Sequence, residues 1–200
     1  MATLIGSVLV GACSVVGIRG GTEEPPFTVI GRDGQPALEF RQYDARLAVE
    51  TTIDAGEMAA RSEGFKRLAA YIFGRNAGGN RIAMTAPVAQ AVTLTMTAPV
   101  SQSGSTIRFF LPKTVIAENA PRPIDDNVRL VTIPAETVAV LRFAGSTSPQ
   151  AVAQYQSQLV SALQGTAWQA SGAPYVWFYD PPWTLPPFRR SEAVVPVMRR

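Results

Sequence analysis

Along most of the chain, apolar residues recur either at every second position or at every third to fourth. The order in which these two periods appear runs twice. Leu38, Phe40 and Gln42 alternate with Glu39, Arg41 and Tyr43, which predicts a half-buried strand. Leu47–Ile53 (LAVETTI) alternates again and is rich in β-branched residues, a second strand. Asp54 and Glu57 stand three apart, as in a capping box, where a helix should begin. Met58, Arg61, Phe65, Leu68 and Ile72 follow at spacings of 3, 4, 3 and 4 and so share one helical face, with Glu63, Lys66 and Arg67 off it. Gly74 and Asn76–Asn80 end that helix. The next stretch, IAMTAPVAQAVTLTMTAPV (82–100), writes Met-Thr-Ala-Pro-Val at 84–88 and again at 96–100. It predicts two short antiparallel strands joined by Ala89–Thr93, with Pro87 and Pro99 limiting further pairing. Thr106–Leu111 is another strand, and a loop rich in Pro and Asp fills 112–127.

Then the order repeats. Val128–Ile133 and Thr137–Phe143 read as strands. Ser148 and Pro149 are suited to the N-cap and first position of a second helix. Val152, Tyr155, Leu159 and Leu163 supply its apolar face, and Gly165 ends it. Tyr175–Tyr179 and Glu192–Val197 are the last strands. With one residue dropped, Ala45–Gly56 and Ala135–Gly145 both read as a strand ending in Ala-Gly before a helix. We infer a degenerate duplication, strand-strand-helix-strand-strand twice over. Two such halves would join in one twisted antiparallel sheet or open barrel, each contributing a covering helix, an α+β fold.

The first 26 residues break the pattern. Leu4–Ala12 is too short to span a bilayer as a helix but suits the apolar region of a signal peptide. Val10-Gly11-Ala12-Cys13 resembles a bacterial lipobox, in which the chain is cut before Cys and the thiol is lipidated. The other reading is an unstructured apolar end or a first strand. Ser14–Pro26 reads as a tether, flexible at Gly20-Gly21 and stiff at Pro25-Pro26. Residues 27–200 are then expected to form one domain. It sits at the cell envelope if Cys13 is an anchor, and in the cytoplasm otherwise.

Composition narrows the chemistry. The chain has no histidine, which excludes Ser-His-Asp and Cys-His catalysis and any His-ligated metal or heme iron. A single cysteine excludes internal disulfides and thiolate-held clusters. The net charge is +3 and the arginines are scattered, so there is no basic stripe for nucleic acid. No paired-carboxylate or phosphate-cradling motif is present, so no catalytic residues are assigned and the chain reads as non-enzymatic.

Four stretches carry a resemblance: LEFRQYDARLAVET (38–51), FKRLAAYIFGRN (65–76), IAMTAPV (82–88) with RFFLPK (108–113), and YDPPWTLPPFRRSEAVVPV (179–197). Together they make the chain similar to the SOUL heme-binding protein family, most like its bacterial lipoprotein-type members. The resemblance implies a distorted eight-stranded antiparallel barrel with two long helices and internal pseudo-twofold symmetry. It also implies a tetrapyrrole carrier or buffer, binding heme or protoporphyrin. In one family mode a His ligates iron from the first strand; here Gln42 holds that position. In the other the ring lies in an apolar groove beside the first helix, whose groove face maps onto Ser62, Phe65 and Ala69.

Around those positions, Met58 and Arg61 complete the candidate groove, since a flat apolar ligand needs aromatic and aliphatic walls with few polar anchors. Arg61, Arg189 or Arg190 could pair with a propionate, or could simply be solvated or ion-paired. Trp183 either lines the groove mouth or belongs to a rigid turn. Met84 and Met96 are either soft ligands or gap-fillers, and Phe65, Leu68 and Ile72 are either walls or core. No metal site is expected, and a monomer is favoured. The alternative function is a general module for drug-like, amphipathic small molecules, similar to bacterial effector-binding domains. Those need a buried carboxylate, for which Glu50 is the strand candidate.

Overall fold

A computed structural model describes residues 22–34, 36, 38–94, 103–181 and 183–200. Its elements are β1 (Phe27–Asp33), β2 (Leu38–Tyr43), β3 (Arg46–Ile53), α1 (Glu57–Ile72), β4 (Val88–Leu94) and β5 (Ser103–Phe110). They continue with β6 (Arg129–Ile133), β7 (Glu136–Phe143), α2 (Pro149–Ala162), β8 (Trp168–Ala170), β9 (Tyr175–Phe178) and β10 (Ser191–Arg199). The ten strands form one sheet in the order β1-β2-β7-β10-β9-β4-β5-β3-β6, with β8 added beside β10. Every strand pair is antiparallel. The sheet curls but stays open between β1 and β6.

The duplication is written into this order. Exchange β2 with β6, β3 with β7, β4 with β9 and β5 with β10, and the path β2-β7-β10-β9-β4-β5-β3-β6 reads the same backwards. A pseudo-twofold therefore passes between β4 and β9. The resemblance implied eight strands; the described residues form ten, β1 and β8 being added to these eight. β1 is an exposed edge strand with only β2 beside it, and β8 is three residues long, so neither carries a buried alternating pattern.

β3 and β7 share one burial sequence: two half-buried residues, four buried, one exposed, one buried. Four consecutive buried residues mean both faces are covered. On one side lies the interior of the curl, where Ala48, Val138, Val140, Phe110, Trp177 and Val194 pack. On the other lie the two helices, α1 over Val49, Ile107 and Phe109 and α2 over Ala139, Leu141 and Phe143.

Several local expectations change. The N-cap of α1 is Gly56 and no side chain caps it, so Asp54 forms no capping box. α1 buries Ala60, Gly64, Leu68, Ala69, Tyr71 and Ile72, rather than the stripe through Met58 and Phe65. Small residues let the helix approach closely, and Gly64 sits directly on Ile107. In β2, Arg41 and Tyr43 are buried and Gln42 is exposed. Of the first Met-Thr-Ala-Pro-Val copy, only Val88 is in a strand; Thr85 donates to the Phe110 carbonyl and bridges to Glu23. Ala89–Thr93, expected as a connection, lies within β4, where it pairs with β5 and, through Gln90, also with β9. The second copy and Cys13 lie outside the described residues. At α2 the expectation holds: the Ser148 hydroxyl accepts from Ala151 N at 3.3 Å, with Pro149 in the first turn.

Candidate functional site

The β4–β9 seam at the pseudo-twofold is where α1 reaches toward the second half of the molecule, and Arg61 makes the crossing. Its Nε donates to Gln90 Oε1 on β4 at 2.7 Å, and Nη1 donates to the Thr147 carbonyl, just before α2, at 3.2 Å. The guanidinium carbon lies 3.8 Å from the centre of the Phe178 ring on β9, a cation–π contact. Gln90 is itself fixed, its amide donating to the Glu57 carbonyl at 2.9 Å. Nη2 is shielded from solvent and has no partner among the described residues. Burial pulls the Arg61 pKa down to about 10, against a smaller raising effect of Glu57. Among the described residues no carboxylate is bonded to this cation.

Apolar side chains flank it. On α1, Met58 is 63% exposed, Ser62 is exposed, and Phe65 stands half out, its ring centre 5.2 Å from that of Phe109 in an edge-on arrangement. Ala69, four residues on, is buried at the same flank. A second apolar group comes from the turn between β9 and β10, where Trp183 is 64% exposed and Leu185 and Phe188 are also exposed. This turn is tied to the same segment as Arg61, because Gly145 N donates to the Pro186 carbonyl at 2.9 Å. Arg61 and the exposed turn thus converge on residues 145–147. Arg189 Nε donates to the Thr184 carbonyl at 2.8 Å within the turn.

The opposite flank of α1 carries an open groove of about 420 Å³ between Glu63, Lys66, Arg67 and Tyr71 of the helix and Pro123–Asp125 of the loop before β6. None of Met58, Arg61, Ser62, Phe65 or Ala69 lines it. Its charges are largely engaged, with Arg67 bonded to Glu63 at 2.9 Å and to Thr51.

A profile of the SOUL heme-binding protein family matches residues 22–196. The chain belongs to that family. It is 32% identical over 129 residues to human heme-binding protein 2, covering 64% of this chain and 62% of the human one. It is 27% identical over 178 residues to bovine heme-binding protein 1, covering 88% and 91%. Among solved structures, the EcmrR C-terminal domain superposes with a TM-score of 0.61 at 11% identity, over 82% of this chain and 98% of that one. A conserved protein from Listeria innocua superposes at 0.56 and 11% identity, over 80% and 92%. At such identities the likeness is one of fold.

Within this SOUL chain the sequence candidates divide. Met58, Arg61, Ser62, Phe65 and Ala69 are spaced along one side of α1, while the turn carrying Trp183 bonds Gly145, two residues from the Thr147 carbonyl that Arg61 bonds. Gln42 is elsewhere, exposed on β2 between Thr28 and Thr137. Arg190 is committed: it bonds Glu24 and Glu192 and lies 3.7 Å over the Tyr179 ring. Met84 is partly exposed rather than filling a core gap, while Leu68 and Ile72 are core. Glu50 is buried but ion-paired to Arg108 at 2.6 Å and Arg129 at 3.0 Å.

Sequence reasoning missed a larger polar cluster. Glu192 is fully buried and accepts from Arg41 at 2.8 and 3.2 Å, from Arg190 at 3.0 and 3.1 Å, and from the Tyr179 hydroxyl at 2.7 Å. Burial raises the Glu192 carboxyl, but these donors outweigh it and hold it below the ordinary value. The signal was available: Arg41, Glu50 and Glu192 are charges written into otherwise apolar strands, and such residues are almost never buried unpaired.

Proposed function

We propose that the protein binds a tetrapyrrole, heme or protoporphyrin, on the α1 flank, as a carrier or buffer rather than an enzyme. The observation that carries this is Arg61, a half-buried guanidinium with no carboxylate partner among the described residues, on a helix that also exposes Met58 and Phe65. A flat apolar ring bearing carboxylates matches both halves of that surface. Arg61 would take a propionate, and Met58, Phe65 and Trp183 would cover the ring. Family membership supports the ligand class. The chain has no histidine, so the reading relies on side-chain surface and not on an imidazole at the metal. The drug-binding alternative would need a free buried carboxylate for a cation; Glu50 and Glu192 are both occupied by arginines. For the chain's N-terminus we propose lipidation at Cys13 and a place at the cell envelope, on the lipobox-like motif alone.

Titration of the purified protein with hemin and with metal-free protoporphyrin tests the reading. Saturable quenching of tryptophan emission at micromolar ligand is expected, with similar affinity for the two. Arg61→Met should weaken both at least fivefold with the far-UV spectrum unchanged. A linear, unsaturable titration, or an Arg61→Met protein that binds like the wild type, overturns it.

A further inference from the structure

The interior of the curled sheet holds a second unmatched set of donors, remote in kind from the α1 surface. Arg46 projects from the start of β3 with its side chain 10% exposed. Its guanidinium carbon lies 4.2 Å from the centre of the Tyr43 ring, 4.8 Å from Phe110 and 6.0 Å from Trp177. Only Nη2 is bonded, to Glu136 Oε1 at 2.6 Å. Nε and Nη1 are buried with no partner among the described residues, and so is the indole Nε1 of Trp177. Buried donors in folded proteins are nearly always paired. Here the three belong to residues that line one narrow, partly open cleft, Arg46 and Trp177 together with Glu24, Pro25, Tyr43, Phe110 and Tyr179.

As it stands the cleft is too narrow to admit a water molecule, so water does not satisfy these donors. What closes it is the short segment before β1. Glu24 and Pro25 form part of its lining. Glu23 is held by Ala86 N and Lys113 N at 2.9 and 3.0 Å, and Glu24 by Arg190 at 2.9 Å. These are a few contacts at a surface, and releasing them leaves every strand pair of the sheet intact.

We infer that this cleft is a binding site for a small aromatic carboxylate, entered when the Glu23–Pro25 segment lifts. The carboxylate oxygens supply the acceptors that Arg46 Nε, Arg46 Nη1 and Trp177 Nε1 lack. The ring packs among Tyr43, Phe110, Trp177 and Tyr179. Lifting Glu24 and Pro25 away from these aromatic side chains vacates the space that the ring would take. Glu136 already offsets part of the guanidinium charge, which favours a monoanion over a more highly charged oxyanion.

Benzoate serves as the probe, with benzyl alcohol as the neutral control. The full chain labelled with ¹⁵N gives the Trp177 indole resonance, assigned by its loss in Trp177→Phe. Benzoate should shift that resonance downfield, saturably, and benzyl alcohol should bind at least tenfold more weakly. Arg46→Met should weaken benzoate at least tenfold. Should that variant fail to fold, Trp177→Phe, which keeps a ring in place, should still cost about threefold. Glu24→Ala touches none of the three donors and should accelerate binding. Arg61→Met should leave benzoate unaffected, which separates this site from the tetrapyrrole surface. The inference is overturned if benzoate binds neither wild type nor Glu24→Ala saturably. It is also overturned if binding is the same in Trp177→Phe as in the wild type.

Discussion

Replacing Gly64 with alanine tests how α1 is seated, and with it the position of Arg61 and Phe65. A Cβ at residue 64 would stand 2.5 Å from Ile107 Cγ1 and 2.9 Å from Ile107 Cβ. Carbons in good contact sit about 3.5–4.0 Å apart, so α1 or β5 must yield by about 1 Å. Nothing flexible absorbs this, because the opposing atoms are the root of a β-branched side chain that is fully buried. Two terms compete. Alanine removes the glycine penalty in a helix, worth about 1 kcal/mol. Overpacking a tight interior costs about 1–3 kcal/mol, and contacts this short belong in the upper part of that range. The balance is a net loss of about 1–2 kcal/mol, or about 2–8 °C in Tm for a chain of this size. Urea unfolding and calorimetry measure it. Ile107→Val keeps Cβ and both Cγ atoms and should not rescue the variant. Ile107→Ala removes both Cγ atoms and should recover part of the loss in a double-mutant cycle. A Gly64→Ala protein that is stabilised by about 1 kcal/mol, as at an exposed helix glycine, would refute the close seating of α1.

Glu192→Gln preserves volume but strips the charge that holds Arg41 and Arg190 inside, and should cost about 3–5 kcal/mol by urea unfolding at pH 7. The wild-type carboxyl lies below its ordinary value of 4.5, so the stability it contributes is complete above that pH and is lost as pH falls through the lower folded value. Thermal melts between neutral and acid pH should therefore decline more steeply for the wild type than for E192Q. Asn76→Ala removes three hydrogen bonds that close the turn after α1, to the carbonyls of Tyr71 and Asn80 and from Asn80 N; a loss of about 1–3 kcal/mol is expected in the same unfolding assay.

The duplication was legible because each half announces itself through short-range periods, 2 along strands and 3.6 along helices. β3 and β7 then turned out to share the same burial sequence, which the parallel between Ala45–Gly56 and Ala135–Gly145 anticipated. The face of α1 was misread for a physical reason. Hydrophobic spacing gives weight to Met58 and Phe65, yet the helix docks through Ala60 and Gly64, whose small size permits the approach and leaves no hydrophobic mark. The larger apolar residues were thereby pushed outward to where a ligand can meet them. Of the positions read as either groove wall or core, Met58 and Phe65 are exposed while Leu68, Ala69 and Ile72 are buried.

The charges posed a different problem. Arg41 and Glu192 are 151 residues apart, and no local pattern pairs them. Their partnership exists because β2, β7 and β10 lie side by side, which places Glu39 opposite Val140 and Val140 opposite Val194. Glu50 shows the same dependence, since its two arginines are its register partners on β5 and β6. A charge inside a strand that reads as apolar on both sides announces that a partner exists, and only the strand order says which. Arg61 and Arg46 matter because the fold leaves them short. Helix docking brings Arg61 amide and carbonyl acceptors but no carboxylate among the described residues, and Arg46 has a carboxylate for one nitrogen of three. Among the described residues the strand charges Arg41, Glu50 and Glu192 are paired, and the deficits at Arg61 and Arg46 are what the proposed propionate and carboxylate contacts rest on.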